Sequence, residues 1–347
     1  MTRSVEFIFR IVRDGADYSI LHPVPERAPA LSLDESKAIR MGLQGEFIDP
    51  GPSVNFLTDR IRPILIIDGV EYPLGLFIPV KIGTVITDYG YHLSIQAYDQ
   101  CWLLQTTCLT NNLYYAASTK YLDAIDGLLE EAGIGLSLYT ASSLEMPYER
   151  EDWLVGSDYL SIINQLLDEM NYCHIWFDFD GVAVISPEPD PAANPANHIL
   201  DETDIKSLLT FDASISSDYY SAPNVFVYVC SNFNGAPLKA TAENNSPGSP
   251  ISIQRRGRKI YSVTKVNEVA SLELLQDMAD KAYRRSLLRS ETISVKTGIL
   301  PNFRLNDIVA LNINGESSVC IERGWSMQMT TGGLMTHRME RVVANYD

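Results

Sequence analysis

The sequence predicts an α+β fold that is mainly β, with two antiparallel strand-rich domains separated by a small α/β module. Three observations predict it. Residues 1–110 alternate apolar and polar side chains, the mark of strands with one buried face. After Asn112 the period lengthens to that of amphipathic helices, and from about residue 199 the alternation returns. A chain of 347 residues has room for two or three domains, and the expected division is 1–110, 111–198 and 199–347.

The first strand signal is Val5 to Val12. In Ile39 to Phe47 the odd positions are apolar or Gly, and Leu93, Ile95 and Ala97 repeat the pattern within Tyr91 to Tyr98. Between them, Ile64 to Ile67 and Tyr72 to Val80 flank Asp68-Gly69, a dipeptide suited to the positive φ angles of a tight hairpin. These five strands suggest a small antiparallel sandwich or barrel. Helical spacing follows. Tyr121, Leu122, Ile125, Leu128, Leu129 and Ala132 share one face, with Gly133 placed as a C-terminal cap. Tyr159, Leu160, Ile163, Leu166, Leu167 and Met170 share another, with Ser157 as the expected N-cap. His174 to Ile185 reads as a hairpin turning at Asp180-Gly181, and Pro187 to Pro195 reads as a linker.

In the third region strands are predicted at Asn224 to Cys230, Lys259 to Lys265, Thr292 to Lys296, Ile308 to Ile313, Val319 to Glu322 and Trp325 to Met329. Asn314-Gly315 and Gly332-Gly333 supply further turns. A helix over 268–288 interrupts this set, with Leu272, Leu275, Ala279, Ala282 and Tyr283 on one face. Its acidic start (Glu268, Glu273) and basic end (Lys281, Arg284, Arg285, Arg289) match the helix dipole.

The composition, 46% hydrophobic and 20% charged, is that of folded protein. The longest apolar runs, Pro63 to Ile67 and Leu74 to Val80, fall far short of the ~20 residues that span a bilayer. Met1 to Glu6 runs straight into a strand pattern without a secretory signal, so synthesis and first folding in a cytoplasm are expected. Five scattered cysteines (Cys101, Cys108, Cys173, Cys230, Cys320) read as free, buried thiols. Forty-four acidic against 27 basic residues give a net charge of −17, which opposes passive binding to nucleic acid or anionic membrane. The same charge suits a surface past which DNA slides, and equally suits solubility.

Motifs for chemistry are absent from the sequence. Neither a P-loop nor a dinucleotide fingerprint occurs, and no cofactor is expected. Asp178-Phe179-Asp180-Gly181 lacks the later ligands of a calcium loop and reads as a turn. Cys173-His174 puts neighbours on opposite strand faces, where they cannot easily share a metal. Paired catalytic carboxylates are assembled by the fold, so 44 acidic residues discriminate nothing. The basic run Arg255-Arg256-Gly257-Arg258-Lys259 stands out from the acidic background as a solvated turn, a protein contact or a nucleic-acid contact.

Three groups of stretches carry a resemblance. The first is Met41-Gly42-Leu43-Gln44-Gly45-Glu46-Phe47 with Leu57 to Pro63 and Ile67 to Phe77; the second is Trp153 to Trp176, through Asn171-Tyr172, with the Asp180-Gly181 hairpin. The third is Asn245 to Gly257, the long helix, and Leu305-Asn306-Asp307-Ile308-Val309. In this order, over most of the chain, they resemble the baseplate hub proteins of contractile phage tails and phage-derived tail-like particles. The resemblance implies two antiparallel β-barrel-like, tail-tube-like domains around the α/β module, and a structural role without catalysis. It implies a homotrimeric ring joining the hexameric tail tube to the trimeric central spike in the virion baseplate. Implied partners are the tail tube protein, the central spike protein, other baseplate proteins and the tape measure, with DNA at most passing through the lumen. Interface contacts are expected at Arg60 and Arg62 and at Arg255, Arg256, Arg258 and Lys259, because arginine is favoured at interfaces. Two other classes stay open: a tail-associated peptidoglycan hydrolase, and a receptor- or carbohydrate-binding tail module suggested by 4 Trp, 18 Tyr and 11 Phe.

Overall fold

A computed structural model describes residues 3–87, 90–190, 194–217, 219–231, 237–266, 269, 271–289 and 291–342. The first region forms β1 (Val5–Arg13), β2 (Ala16–Leu21), β3 (Ala30–Asp34), β4 (Met41–Phe47), β5 (Arg60–Ile67), β6 (Val70–Pro73), β7 (Ile78–Thr87) and β8 (Gly90–Tyr98). The α/β region follows with α1 (Cys101–Thr106), α2 (Tyr121–Glu131), β9 (Ser137–Tyr139), α3 (Tyr159–Glu169), β10 (Trp176–Phe177) and β11 (Ala183–Ile185). The last region contains β12 (His198–Asp201), β13 (Leu209–Ser217), β14 (Val225–Cys230), β15 (Leu238–Glu243), α4 (Ile253–Arg256), β16 (Tyr261–Val266) and α5 (Leu272–Arg289). It closes with β17 (Glu291–Gly298), β18 (Ile308–Ile313), β19 (Glu316–Gln328) and β20 (Leu334–Val342). The mainly β, α+β class is as expected.

The predicted hairpins turn where their residues permit. Asp68 and Gly69 have φ of 49° and 83°, and Asn314 and Gly315 have 53° and 74°. A third such pair, Asp14-Gly15 between β1 and β2, escaped the pattern reading because β2 is largely exposed. The run Tyr72 to Val80 is two strands in different sheets. It changes sheets at Gly75, where a β-carbon would meet the Phe77 ring at 2.8 Å. Asp158, not Ser157, caps α3: its carboxylate accepts from the Ser161 N–H. Helix α5 begins at Leu272, which is exposed rather than on the buried face with Leu275 and Ala279, and Glu268 lies outside the described residues. Cys108 is exposed and Cys173 half-buried, whereas Cys101, Cys230 and Cys320 are buried as expected.

Four sheets result. One is β2-β1-β5-β6; another, β10-β11-β9, shares a hydrophobic core with α2 and α3; a third, β15-β14-β16, carries α5. The largest has ten strands and follows the path β13-β17-β20-β19-β3-β4-β8-β7, with β18 and β12 branching from β19. Its seam is the antiparallel ladder between β3 and β19, from Gly324↔Asp34 to Gln328↔Ala30. That ladder makes the first and last β regions one sheet over one core, which runs from Phe9, Leu31 and Leu43 to Val295, Trp325 and Met339. Period 2 allocates the two faces. In register, Ala97, Leu43, Leu31, Met327 and Met335 point into the core, while Tyr98, Gly42, Ser32, Ser326, Thr336 and Lys296 form the row on the other face.

Candidate assembly surfaces

The arginines singled out in the sequence lie apart. Arg60 and Arg62 stand on β5; Arg60 Nη1 donates to the Thr58 carbonyl at 2.9 Å, and Arg62 Nη1 lies 3.5 Å from Asp17 Oδ1. Burial lowers the Arg60 pKa against the pull of Asp59. The second group surrounds α4 and is also partly engaged. Arg255 donates to the Pro247 carbonyl at 2.9 Å, Arg256 to that of Ala222 at 2.5 Å, and Lys259 pairs with Glu243 at 2.6 Å. Arg255, Arg258 and Lys259 are exposed. The fold thus spends several of these charges on clamping its own loops.

One buried constellation has the connectivity of a nucleophile, a base and an acid. Thr297 Oγ1 lies 3.1 Å from His337 Nε2, and His337 Nδ1 lies 2.8 Å from Glu322 Oε2. All three are fully buried on the core face of the large sheet, and the Thr297 hydroxyl donates to the Gly298 carbonyl. The Phe303 ring, 4.7 Å from the His337 ring, separates them from a 220 Å³ cavity lined by His198, Leu300 and Phe303. The trio therefore reads as a satisfied polar network in an apolar layer. Pattern reading missed it because its members stand on three separate strands, β17, β20 and β19, that only the sheet register brings side by side. Among the described residues, no group of three or more His, Cys, Asp or Glu side chains is placed to hold a metal ion. The Asp178 carboxylate accepts from the N–H groups of Asp180 and Val182, so it serves the turn.

A second buried charge network lies where the regions meet. Arg323 on β19 reaches Glu188 at 2.5 Å, Glu340 at 2.8 Å and Asn306 at 2.5 Å, and Arg285 on α5 pairs with Glu35 and lies 3.5 Å from Glu188. Burial opposes ionisation of Glu188, but Arg285 and Arg323 outweigh it and hold the carboxyl below its usual range. The start of the proline-rich stretch is thereby anchored to the large sheet.

The exposed features that remain are sheet edges and a sheet face. Strands β7 and β13 each have one hydrogen-bonded neighbour among the described residues, at the two ends of the path through the ten-stranded sheet. Both lie bare over much of their length: Ile82 and Ile86 on β7 are 42% and 83% exposed, and Ile215 on β13 is 60% exposed. An unpaired, apolar edge invites another strand. On the face turned away from the core, the middle of the Tyr98-to-Lys296 row holds only Gly42, Ser32 and Ser326. The result is a trough of about 600 Å³.

No protein-family model and no curated protein matches the sequence. Solved structures do match in fold. A tail protein from Neisseria meningitidis MC58 gives a TM-score of 0.69 at 15% identity, over 96% of each chain. The 43 kDa tail protein of prophage MuSo2 from Shewanella oneidensis gives 0.67 at 12% identity, over 97% of this chain and 98% of that one. The prophage tail protein gp18 from Listeria monocytogenes EGD-e gives 0.58 at 14% identity, over 95% and 94%. The chain thus has, along nearly its whole length, the fold of phage tail proteins, as its resemblance to baseplate hubs led one to expect.

Proposed function

We propose that the chain is a structural subunit of the baseplate hub of a phage or a phage-tail-like particle. Three copies form a ring that joins the hexameric tail tube to the trimeric central spike, in a virion tail assembled in the host cytoplasm. The observation that carries this reading is the pair of bare edges, β7 and β13, at opposite ends of one sheet. Pairing β7 of one subunit with β13 of the next is a heterologous contact, which makes a ring when its rotation closes and a filament when it does not. The edge isoleucines and backbone groups would then be covered. The exposed basic residues Arg255, Arg258 and Lys259, with Arg60 and Arg62, are the proposed contacts to tube, spike or neighbouring baseplate proteins. The net charge of −17 suits a lumen along which DNA passes without adhering.

Electron microscopy of the purified protein, alone and with tail tube or spike protein, tests the reading. Three-fold rings with a central channel are expected, and Ile86→Lys on the β7 edge should abolish them while leaving the subunit folded. Monomers at high concentration, with no ring beside either partner, would overturn it.

A further inference from the structure

The trough on the large sheet is built for an occupant of opposite charge. Its floor is the registered row Tyr98, Gly42, Ser32, Ser326, Thr336 and Lys296, from β8 through β4, β3, β19 and β20 to β17. Gln44, Gln96 and Gln328 add amide groups beside it. Six strands side by side span about 24 Å, the length of roughly seven extended residues. That length suits a segment of chain better than a small solute.

The charge is one-sided. Lys37, Arg40 and Lys296 line the trough, and among the described residues no Asp or Glu does. Lys37 and Lys296 have partners outside it, at 4.0 Å in Asp34 and 3.3 Å in Asp212, and these exposed pairs contribute little. Arg40 differs. It is 6% exposed, and its buried Nη1 has no hydrogen-bond partner among the described residues. Asp99, whose charge Arg40 favours, accepts its hydrogen bonds instead from the N–H groups of Met41 and Cys101, each at 2.9 Å. A guanidinium withdrawn from water without a hydrogen-bonded counter-ion is costly, and a carboxylate arriving through the trough would relieve that cost. The amides and hydroxyls around it match the backbone of an extended segment.

We infer that this trough binds an extended, acidic segment of a partner protein, with a carboxylate seated on Arg40 and a second acidic group near Lys296. The inference rests on the trough alone and holds whether or not subunits close into a ring.

Isothermal titration of the full chain tests it. The probe is a hexapeptide with two glutamates among glutamines and serines; its control has both glutamates replaced by glutamine. At ~0.15 M salt the chain's own acidity is screened beyond ~8 Å, so the local site decides the outcome. The glutamate peptide should bind and the control should not. Arg40→Gln should weaken binding about ten-fold or more, as loss of a charge-assisted hydrogen bond does. Ser326→Tyr, at an exposed position, should fill the trough and abolish binding without disturbing the fold, which covers the case of an Arg40 variant that does not fold. Equal affinity for the two peptides, or glutamate-peptide binding unchanged by Ser326→Tyr, would overturn the inference. So would binding of free glutarate without binding of the peptide.

Discussion

Gly324 on β19 passes so close to Leu33 on β3 that a β-carbon at 324 would stand 2.4 Å from the Leu33 carbonyl oxygen. This is the seam through which the two β regions become one sheet. The β19 register shifts between Glu322 and Gly324, so the strand bulges where it meets β3. Because backbone, not a flexible side chain, occupies the space, Gly324→Ala must separate the strands. A loss of roughly 3 kcal/mol is expected in chemical denaturation, at the upper end of single-residue effects. An unchanged midpoint would mean that the seam is looser than its geometry.

Asp99 should give the stability a distinctive pH dependence. It is 2% exposed, and burial raises its pKa to about 6, against the pull of the Met41 and Cys101 N–H groups and of Arg40. A raised folded-state pKa means that the folded protein holds a proton the unfolded chain has already released. The residue's contribution is therefore greatest at low pH and declines from about pH 4 to about pH 6, by of order 2–3 kcal/mol. Denaturation midpoints of the wild type and Asp99→Asn should differ in slope across that window. Parallel profiles would show that Asp99 does not titrate there.

Arg150 and Glu169 form a buried bidentate pair, at 2.8 Å and 3.1 Å, which ties the loop before α3 to the end of that helix. Both side chains are 1% exposed. Arg150→Met strands the carboxylate in the core and should cost about 3–5 kcal/mol. Arg150→Met with Glu169→Leu removes both charges and should recover much of that loss. A double variant no more stable than the single one would show that packing, not charge, holds the site.

The Thr297, His337 and Glu322 network is expected to be structural. Glu322→Gln should destabilise by about 1–3 kcal/mol, because the carboxylate it replaces is a buried hydrogen-bond acceptor. A turbidity assay on purified peptidoglycan should show no clearing by the wild type. Clearing that disappears in Thr297→Ala would instead make the chain a hydrolase.

Thiol chemistry offers a check on burial. Cys108 is exposed, whereas Cys101, Cys230 and Cys320 are buried, and burial raises the Cys320 pKa to about 12. Brief treatment of the native protein with a maleimide, followed by mass spectrometry, should modify Cys108 first and leave those three for denaturing conditions. Early labelling of Cys320 would mean that the ten-stranded sheet opens readily.

Much of the fold was legible where one rule sufficed. Asp68-Gly69 and Asn314-Gly315 announce hairpins because the residues themselves accept the backbone angles, and α2 and α3 show because one face of each is apolar. Strands β2, β3, β9, β12, β13, β15 and β20 were missed: β2 and β13 lie largely exposed, β3, β9 and β12 are short, β15 alternates but buries only the small Ala240 and Ala242, and β20 mixes Thr336, His337, Arg338 and Glu340 into its run. The interface arginines were chosen by residue type, which says nothing about whether a guanidinium is already spent, as that of Arg256 is on Ala222.

By itself the sequence determined the local matters: the mainly β class, the order of β, α/β and β regions, the principal turns and the acidity. These depend on neighbours within a few residues. Only the tertiary structure decided that Leu33 meets Trp325, that Thr297, His337 and Glu322 come together, and that Arg40 lines a trough beside Lys37 and Lys296. Such pairings join residues up to about three hundred positions apart, and their register is set by packing across a shared core, which no local pattern records.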